Sequence, residues 1–302
     1  MKHKNTTVIG LDIGSYSIKC AEISRDNEHL RLEKAVVSVL PPAQSPNALT
    51  GILKNLFPEA AASSDKRFRI SVSGTSFISR RIKLPLMTAA ELKSAIRFQA
   101  ETQLPFPIDD CMVDCQILTQ KAADRSMEVL LVAVKRDFLE QRLKELAGAG
   151  IYPEVVDGDV FCMANAFEIL GQETNEKTYG LLNIGHKLSS FVIVHEGILY
   201  FVREIPQEVA DVKQSLESLS VELINSVNYF ENETSVDLKS IWMSGGGALS
   251  GGAAAVLSES LGRQVSLWDN TQKMELGPAV DAAFLREHST ELNVAFGLAL
   301  RR

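Results

Sequence analysis

The apolar run Val8-Ile9-Gly10-Leu11-Asp12-Ile13 enters a turn, Gly14-Ser15-Tyr16-Ser17, and leaves it at once as a second apolar run from Ile18 to Ile23. A chain that reverses this abruptly predicts a two-stranded hairpin. Gly14 is expected to permit a turn closed to residues with a Cβ, with successive backbone N–H groups facing one concavity. Such a concavity favours an anion, and Lys19 leaves the turn as a point charge suited to phosphate. Asp12 accepts hydrogen bonds only, so it suits the waters of a hydrated Mg²⁺ ion that bridges to phosphates. A single Asp-x-Gly-Ser is equally an ordinary turn between two strands, because short motifs recur by chance.

The pattern returns. Tyr179-Gly180-Leu181-Leu182-Asn183-Ile184-Gly185-His186 is again an apolar strand ending in a glycine turn, followed by the β-rich run Phe191 to Val194; Asn183 follows Asp12 by 171 residues. Self-similarity at that spacing predicts two related lobes rather than a short-period array. A third such element follows: the strand Ile241-Trp242-Met243-Ser244, the turn Gly245-Gly246-Gly247, then an Ala-rich helix.

With three strand-to-glycine turns in this order, the chain resembles the actin-like ATPase superfamily. DIGSYSIK matches its first phosphate loop, NIGH its second and SGGGAL its adenosine turn. Within the superfamily it is similar to the PilM family of type IV pilus assembly proteins, itself related to FtsA and to the cytoplasmic domain of the type II secretion protein GspL. Three further stretches carry that likeness: REIP at Arg203 to Pro206, the run LPFPIDDCMVDCQIL, and VAFGLALR.

The resemblance implies an α/β, actin-like (ribonuclease H-like) fold of two lobes, with a small inserted α+β subdomain and a reduced second outer subdomain. Residues 1–175 would form the first lobe, with the insertion at about 81–150, and residues 176–302 the second. It implies ATP and Mg²⁺ as cofactors. The nucleotide would be held by Asp12, Gly14, Ser15, Tyr16, Ser17, Lys19, Asn183, Gly185, His186, Glu222, Gly245, Gly246 and Gly247, with Asp12 reaching the Mg²⁺ through water. Glu222 would face the ribose; Asn225 stands where the family often has Arg.

Composition bounds the rest. A chain of 302 residues is long for one core. A net charge of −7 without a dense Lys/Arg run argues against a nucleic-acid partner. Cys20, Cys111, Cys115 and Cys162 lack the His or Cys companions of a zinc site and read as free thiols, which fits a reducing cytoplasm. No apolar run reaches the ~20 residues of a membrane span, and the N-terminus lacks a signal peptide's apolar stretch. The expected location is cytoplasmic, peripheral at the inner membrane through a partner.

Along the chain, Leu30 to Leu40 predicts a third strand, Asn47 to Phe57 a helix and Phe68 to Ser73 a strand. Thr88 and Glu91 form a capping-box pattern for a helix running to about Gln103. Strands are expected at Cys111 to Leu118 and Met127 to Val134, then a helix capped by Asp137 and Glu140. Glu91, Lys93, Arg97 and Glu101 read as a solvated face, and Phe98 and Phe106 as core or, if exposed, as lining of a partner groove. A strand over Tyr152 to Asp157 leads into a helix from Val160 to Leu170. At that junction Asp159 is either a helix N-cap or, by resemblance, the catalytic residue that positions an attacking water. The last long helix, from about Val209 to Phe230, carries the stripe Val212, Leu216, Leu219, Leu223, Val227, Phe230.

Two departures from the family bear on activity. Asn183 replaces an Asp, and a neutral amide supplies no carboxylate to hold hydrated Mg²⁺; drift in a protein that never hydrolyses ATP explains it equally. Between Pro206 and the long helix, PilM relatives carry an outer subdomain that closes over the nucleotide, whereas here Gln207 leads almost directly into the helix. An open cleft weakens electrostatic preorganisation. The expectation is a scaffold that binds ATP structurally with weak or no ATPase activity. It would dock the cytoplasmic peptide of a PilN-like inner-membrane protein in a groove of the first lobe beside the insertion, with the pilus assembly ATPase a further partner. The alternatives are an active ATPase or sugar-kinase-like phosphotransferase, and an FtsA-like filament former.

Overall fold

β1 (Thr6–Ile13) is buried on both faces at its centre: Ile9 and Leu11 on one face are fully buried, and Gly10 on the other is buried without a side chain. Such a strand belongs at the centre of a covered sheet. The computed structural model places it there, and describes residues 6–26, 29–41, 48–58, 66–121, 123–171, 174, 176–207 and 212–301. β1 pairs antiparallel with β2 (Ser17–Asp26), which pairs with β3 (His29–Val39). Helix α1 (Ala48–Leu56) then returns the chain to β4 (Lys66–Val72), parallel to β1. The order β-β-β-α-β is the one expected.

The described chain divides into two units, residues 1–72 with 149–302, and residues 73–148. The smaller unit contains β5 (Phe77–Pro85), α2 (Ala89–Glu101), β6 (Cys111–Lys121), β7 (Ser126–Lys135) and α3 (Arg136–Gly148). Its sheet has the order β5-β7-β6. The central β7 buries Met127, Val129 and Leu131 against Leu92, Ile96 and Ala100 of α2. The capping box forms: Thr88 N donates to Glu91 Oε2 at 2.7 Å and Glu91 N to Thr88 Oγ1 at 3.2 Å.

The second expected box does not. α3 begins at Arg136, one residue before Asp137, and the Asp137 carboxylate accepts from the adjacent Phe138 N–H instead. The charged positions Glu91, Lys93, Arg97 and Glu101 are exposed as expected. Phe98 is not core: it is 72% exposed. Phe106 is half-buried, with the Lys135 ammonium over its ring.

The larger unit resumes with β8 (Pro153–Gly158) and α4 (Asp159–Leu170), then β9 (Thr178–Ile184), β10 (Leu188–His195), β11 (Ile198–Pro206), α5 (Val212–Thr234), β12 (Ser240–Ser244), α6 (Ala253–Leu261), β13 (Gln264–Leu267), β14 (Glu275–Leu276), α7 (Ala282–His288) and α8 (Asn293–Leu300). One sheet has the order β14-β3-β2-β1-β4-β8, the other β11-β10-β9-β12-β13. The stripe on α5 packs as its spacing predicts: Leu216, Leu219, Leu223, Val227 and Phe230 are buried with Leu182, Phe191 and Ile193 of the second sheet. The expected start near Val209 falls at residues 208–211, outside the described residues.

α8 is buried along its whole length. It lies so close to its neighbours that a Cβ on Gly10 would sit 1.9 Å from the Ala295 carbonyl oxygen, and one on Gly297 1.8 Å from that of Cys162 on α4. Backbone-to-backbone approach of this kind admits only glycine. The chain beyond α8 is tied down by Arg69, whose Nη1 donates to the Leu298 and Arg301 carbonyls, and by the ion pair of Arg301 with Asp157 at 3.2 Å.

Candidate functional site

The two hairpins are built alike to the level of single hydrogen bonds. Gly14 N donates to Ser17 O at 3.1 Å, and Gly185 N donates to Leu188 O at 3.1 Å. One residue along, Tyr16 O accepts from Leu40 N and Lys187 O from Gln207 N, each at 2.8 Å, so the third strand of each half closes on its turn in the same way. The reason for glycine at position 14 differs from the expected one. Gly14 does not take the left-handed backbone; a Cβ there would crowd the Lys19 Nζ at 2.9 Å and the Ser17 carbonyl oxygen at 3.1 Å.

Register sets the chemistry of each hairpin. Asp12 lies opposite Lys19 in the β1–β2 ladder, and their side chains form an ion pair of 3.2 Å. Both are largely buried. Burial pushes the Lys19 ammonium down, but the Asp12 carboxylate, its hydrogen bond, and the charges of Asp159 and Glu291 outweigh this and hold it above its ordinary value. In the second hairpin the equivalent cross-strand pair is Asn183 with Ser190. Asn183 Oδ1 accepts from Ser244 Oγ at 3.4 Å, so the amide is tied to the end of β12.

The third turn grows out of that contact. Gly245 has φ +89°, and a Cβ on it would lie 2.4 Å from the Ile184 carbonyl oxygen and 2.5 Å from Asn183 Oδ1. A Cβ on Gly247 would strike Ile184 Cγ2 at 2.3 Å. Gly245 N donates to the Thr290 carbonyl at 2.8 Å, and Gly246 faces the Glu291 carboxylate. Glu291 Oε1 is 2.8 Å from His288 Nδ1.

The expected site residues thus fall into groups. Asn183, Gly185 and Gly245 to Gly247 form one contiguous surface. Asp12, Gly14, Ser15, Tyr16, Ser17 and Lys19 form the first hairpin. Tyr16 and His186 join the two, their rings stacked with centroids 5.0 Å apart and planes inclined 17°. Asp159 begins α4, one residue after the N-cap Gly158, so the cap reading fails; its charge reaches Lys19. Glu222 forms an ion pair with Arg203 of β11. Sequence reasoning missed Glu291 and His288, which belong to no motif. The only signal was a lone acid just before the apolar run of α8.

The negative charges of Asp12, Asp159 and Glu291 all act on Lys19, although among the described residues no three His, Cys, Asp or Glu side chains stand close enough together to hold a bare metal ion. A bare polyanion would meet net repulsion there. An anion that brings a divalent cation would not, because the cation is then the largest local charge.

Comparison with known proteins bears on the whole chain. The model of the family "Type IV pilus assembly protein PilM" matches residues 10–216 and 215–302. Among solved structures, the chain is similar to one of a PilM-PilN type IV pilus biogenesis complex, with TM-score 0.85 and 24% identity over 97% of this chain and 98% of that one. It is also similar to a protein of actin-like ATPase fold from Bacteroides thetaiotaomicron (TM-score 0.52, 14% identity, 87% and 91% covered). The cytoplasmic domain of EpsL, an inner-membrane component of the Vibrio cholerae type II secretion system, matches with TM-score 0.53 and 12% identity over 98% and 95%. The fold is thus the actin-like α/β fold. No helix among the described residues is long and apolar enough to cross a membrane. With a family match from Gly10 to the last residue, the chain belongs to the PilM family of type IV pilus assembly proteins.

Proposed function

We propose that this protein is a cytoplasmic scaffold of a type IV pilus or related secretion machine, which binds ATP with Mg²⁺ as a structural ligand and docks the cytoplasmic peptide of a PilN-like inner-membrane partner. The observation that carries the nucleotide half is the convergence of two matched hairpin turns and the Gly245–Gly247 turn on one surface, beside the Asp12–Lys19 pair. Lys19 and the hairpin N–H groups would hold phosphates, Asp12 the water shell of Mg²⁺, and the Gly245–Gly247 turn the adenosine. Bound Mg²⁺ would neutralise phosphate charge. The charges suit that pair: Asp12, Asp159 and Glu291 all act on Lys19, which favours a nucleotide that brings its cation over one without.

Turnover is expected to be weak or absent. Asn183 carries no charge, and Asp159, the candidate for positioning water, is a short side chain on the first turn of α4. The two stretches of the family match meet at Ser215–Leu216, near the start of α5, which supports a shortened outer subdomain there. The partner half rests on family membership and on the similar PilM-PilN complex, and Phe98 offers an exposed aromatic contact on α2.

Calorimetric titration with ATP, with and without Mg²⁺, followed by a long phosphate-release assay, tests the nucleotide half. Tight binding with little release is expected, abolished by Asp12→Ala; absence of binding overturns it. For the partner half, Phe98→Ser should remove capture of a PilN-like cytoplasmic peptide and leave ATP binding intact. Loss of both together counts against separate sites.

A further inference from the structure

We infer that Glu291 supplies the carboxylate that Asn183 cannot, accepting hydrogen bonds from the water shell of a nucleotide-bound divalent cation, and that His288 holds it in position. The inference rests on the nucleotide-binding reading above. Three contacts place Glu291 at the site. The preceding residue is locked to the glycine turn, since the Thr290 carbonyl accepts from Gly245 N at 2.8 Å. Gly245 in turn is pressed against Asn183, with a Cβ position only 2.5 Å from Asn183 Oδ1. Glu291 Oε2 faces Gly246, 3.4 Å from where its Cβ would be, while Oε1 is held by His288 at 2.8 Å.

One carboxylate oxygen is therefore spent on orientation and the other is turned toward the glycine turn. The side chain is only 15% exposed, so the carboxylate is confined rather than swinging in solvent. The short segment Ser289–Leu292 that carries it packs against both β2, which bears Lys19, and the glycine turn, and the Glu291 charge reaches Lys19. A carboxylate held in this way suits hydrated Mg²⁺, which keeps several waters and takes one or two acidic groups. Asp12 from the first hairpin and Glu291 from the segment before α8 would be those two. Carboxylates that serve a metal site are themselves hydrogen-bonded by outer partners that fix their orientation, the part His288 takes here.

The test is calorimetric titration of the full chain with ATP alone and with Mg²⁺-ATP, for wild type, Glu291→Gln, Asn183→Asp and the double variant, each checked for unchanged melting temperature. Mg²⁺ should strengthen ATP binding to the wild type by about tenfold, a gain of the size that outer-shell changes commonly cost. Glu291→Gln should lose that gain while binding of ATP alone is kept or tightened. Asn183→Asp should restore the gain in the Glu291→Gln background and add little to the wild type. His288→Ala should lower the gain only partly. If Glu291→Gln retains the full Mg²⁺ effect, or Mg²⁺ has no effect on wild-type ATP binding, the inference is overturned. Wild type failing to bind ATP under either condition instead overturns the nucleotide-binding reading itself.

Discussion

The Tyr16 ring lies on the His186 ring at 5.0 Å, nearly parallel, and each ring comes from the turn of a different hairpin. Both side chains are exposed, so burial of either in a core does not explain the contact. The stack clasps the two turns together at the position where they would share a ligand. Stacked aromatic pairs are worth about 0.5–1.5 kcal/mol beyond burial. A double-mutant cycle in urea with Tyr16→Ala and His186→Ala should return a coupling energy in that range. Strict additivity of the two single changes would show that the rings are adjacent without holding the turns.

Lys19 neutralises a carboxylate that is only 6% exposed at Asp12. Lys19→Met should lower stability by about 3–5 kcal/mol, because removing one partner leaves a buried charge uncompensated. The pH dependence has a definite sign. The folded ammonium is held above its ordinary value, so its contribution is fully present below about pH 10.4, where the unfolded chain begins to lose the proton. It is lost as pH rises through the higher folded value. Urea midpoints from pH 8 to 11 should fall more steeply for the wild type than for Lys19→Met; parallel curves would contradict this.

The crossing of α8 makes opposite predictions for chemically identical substitutions. Gly297→Ala and Gly10→Ala each drive a methyl into a backbone carbonyl, at 1.8 and 1.9 Å. Each should cost about 3 kcal/mol or more, at or beyond the usual range for overpacking, because backbone rather than a flexible side chain must move. Gly51→Ala, in the exposed interior of α1 with nothing within 4 Å, should stabilise by about 0.4–1 kcal/mol. Thermal melts of the three variants rank them directly.

Gly245→Ala should cost about 2 kcal/mol and weaken nucleotide binding severalfold more than it lowers the melting temperature would suggest. The φ of +89° is disfavoured for L residues, and the methyl would meet Ile184 O and Asn183 Oδ1. Calorimetry of the folded variant at low temperature separates the two effects; unchanged affinity would show that the turn does not line the site.

Spacing alone made much of the framework readable. The three glycine turns, the repeat that pairs Gly14 with Gly185, the α5 stripe and the Thr88–Glu91 cap all rest on contacts between residues a few positions apart, or on a local pattern repeated. Local geometry follows from φ/ψ preferences and periodicity, which the amino-acid order carries. The misses have the same physical cause in reverse. Asp137 and Asp159 are expected to cap helices that instead begin at Arg136 and at Asp159 itself, since a helix start depends on the strand that feeds it.

What the amino-acid order determined by itself was the set of parts: a hairpin turn with Asp12 and Lys19, its counterpart with Asn183, a glycine turn and an apolar final segment. Only the tertiary structure decided that Glu291 comes to lie against Gly246, that Tyr16 meets His186, and that Phe98 falls on the solvent face of α2 rather than the packed one. Those outcomes depend on surfaces brought together from segments well separated along the chain. A side chain's charge and ring act through space on whatever packing places beside them, and no periodicity in the sequence encodes that neighbour.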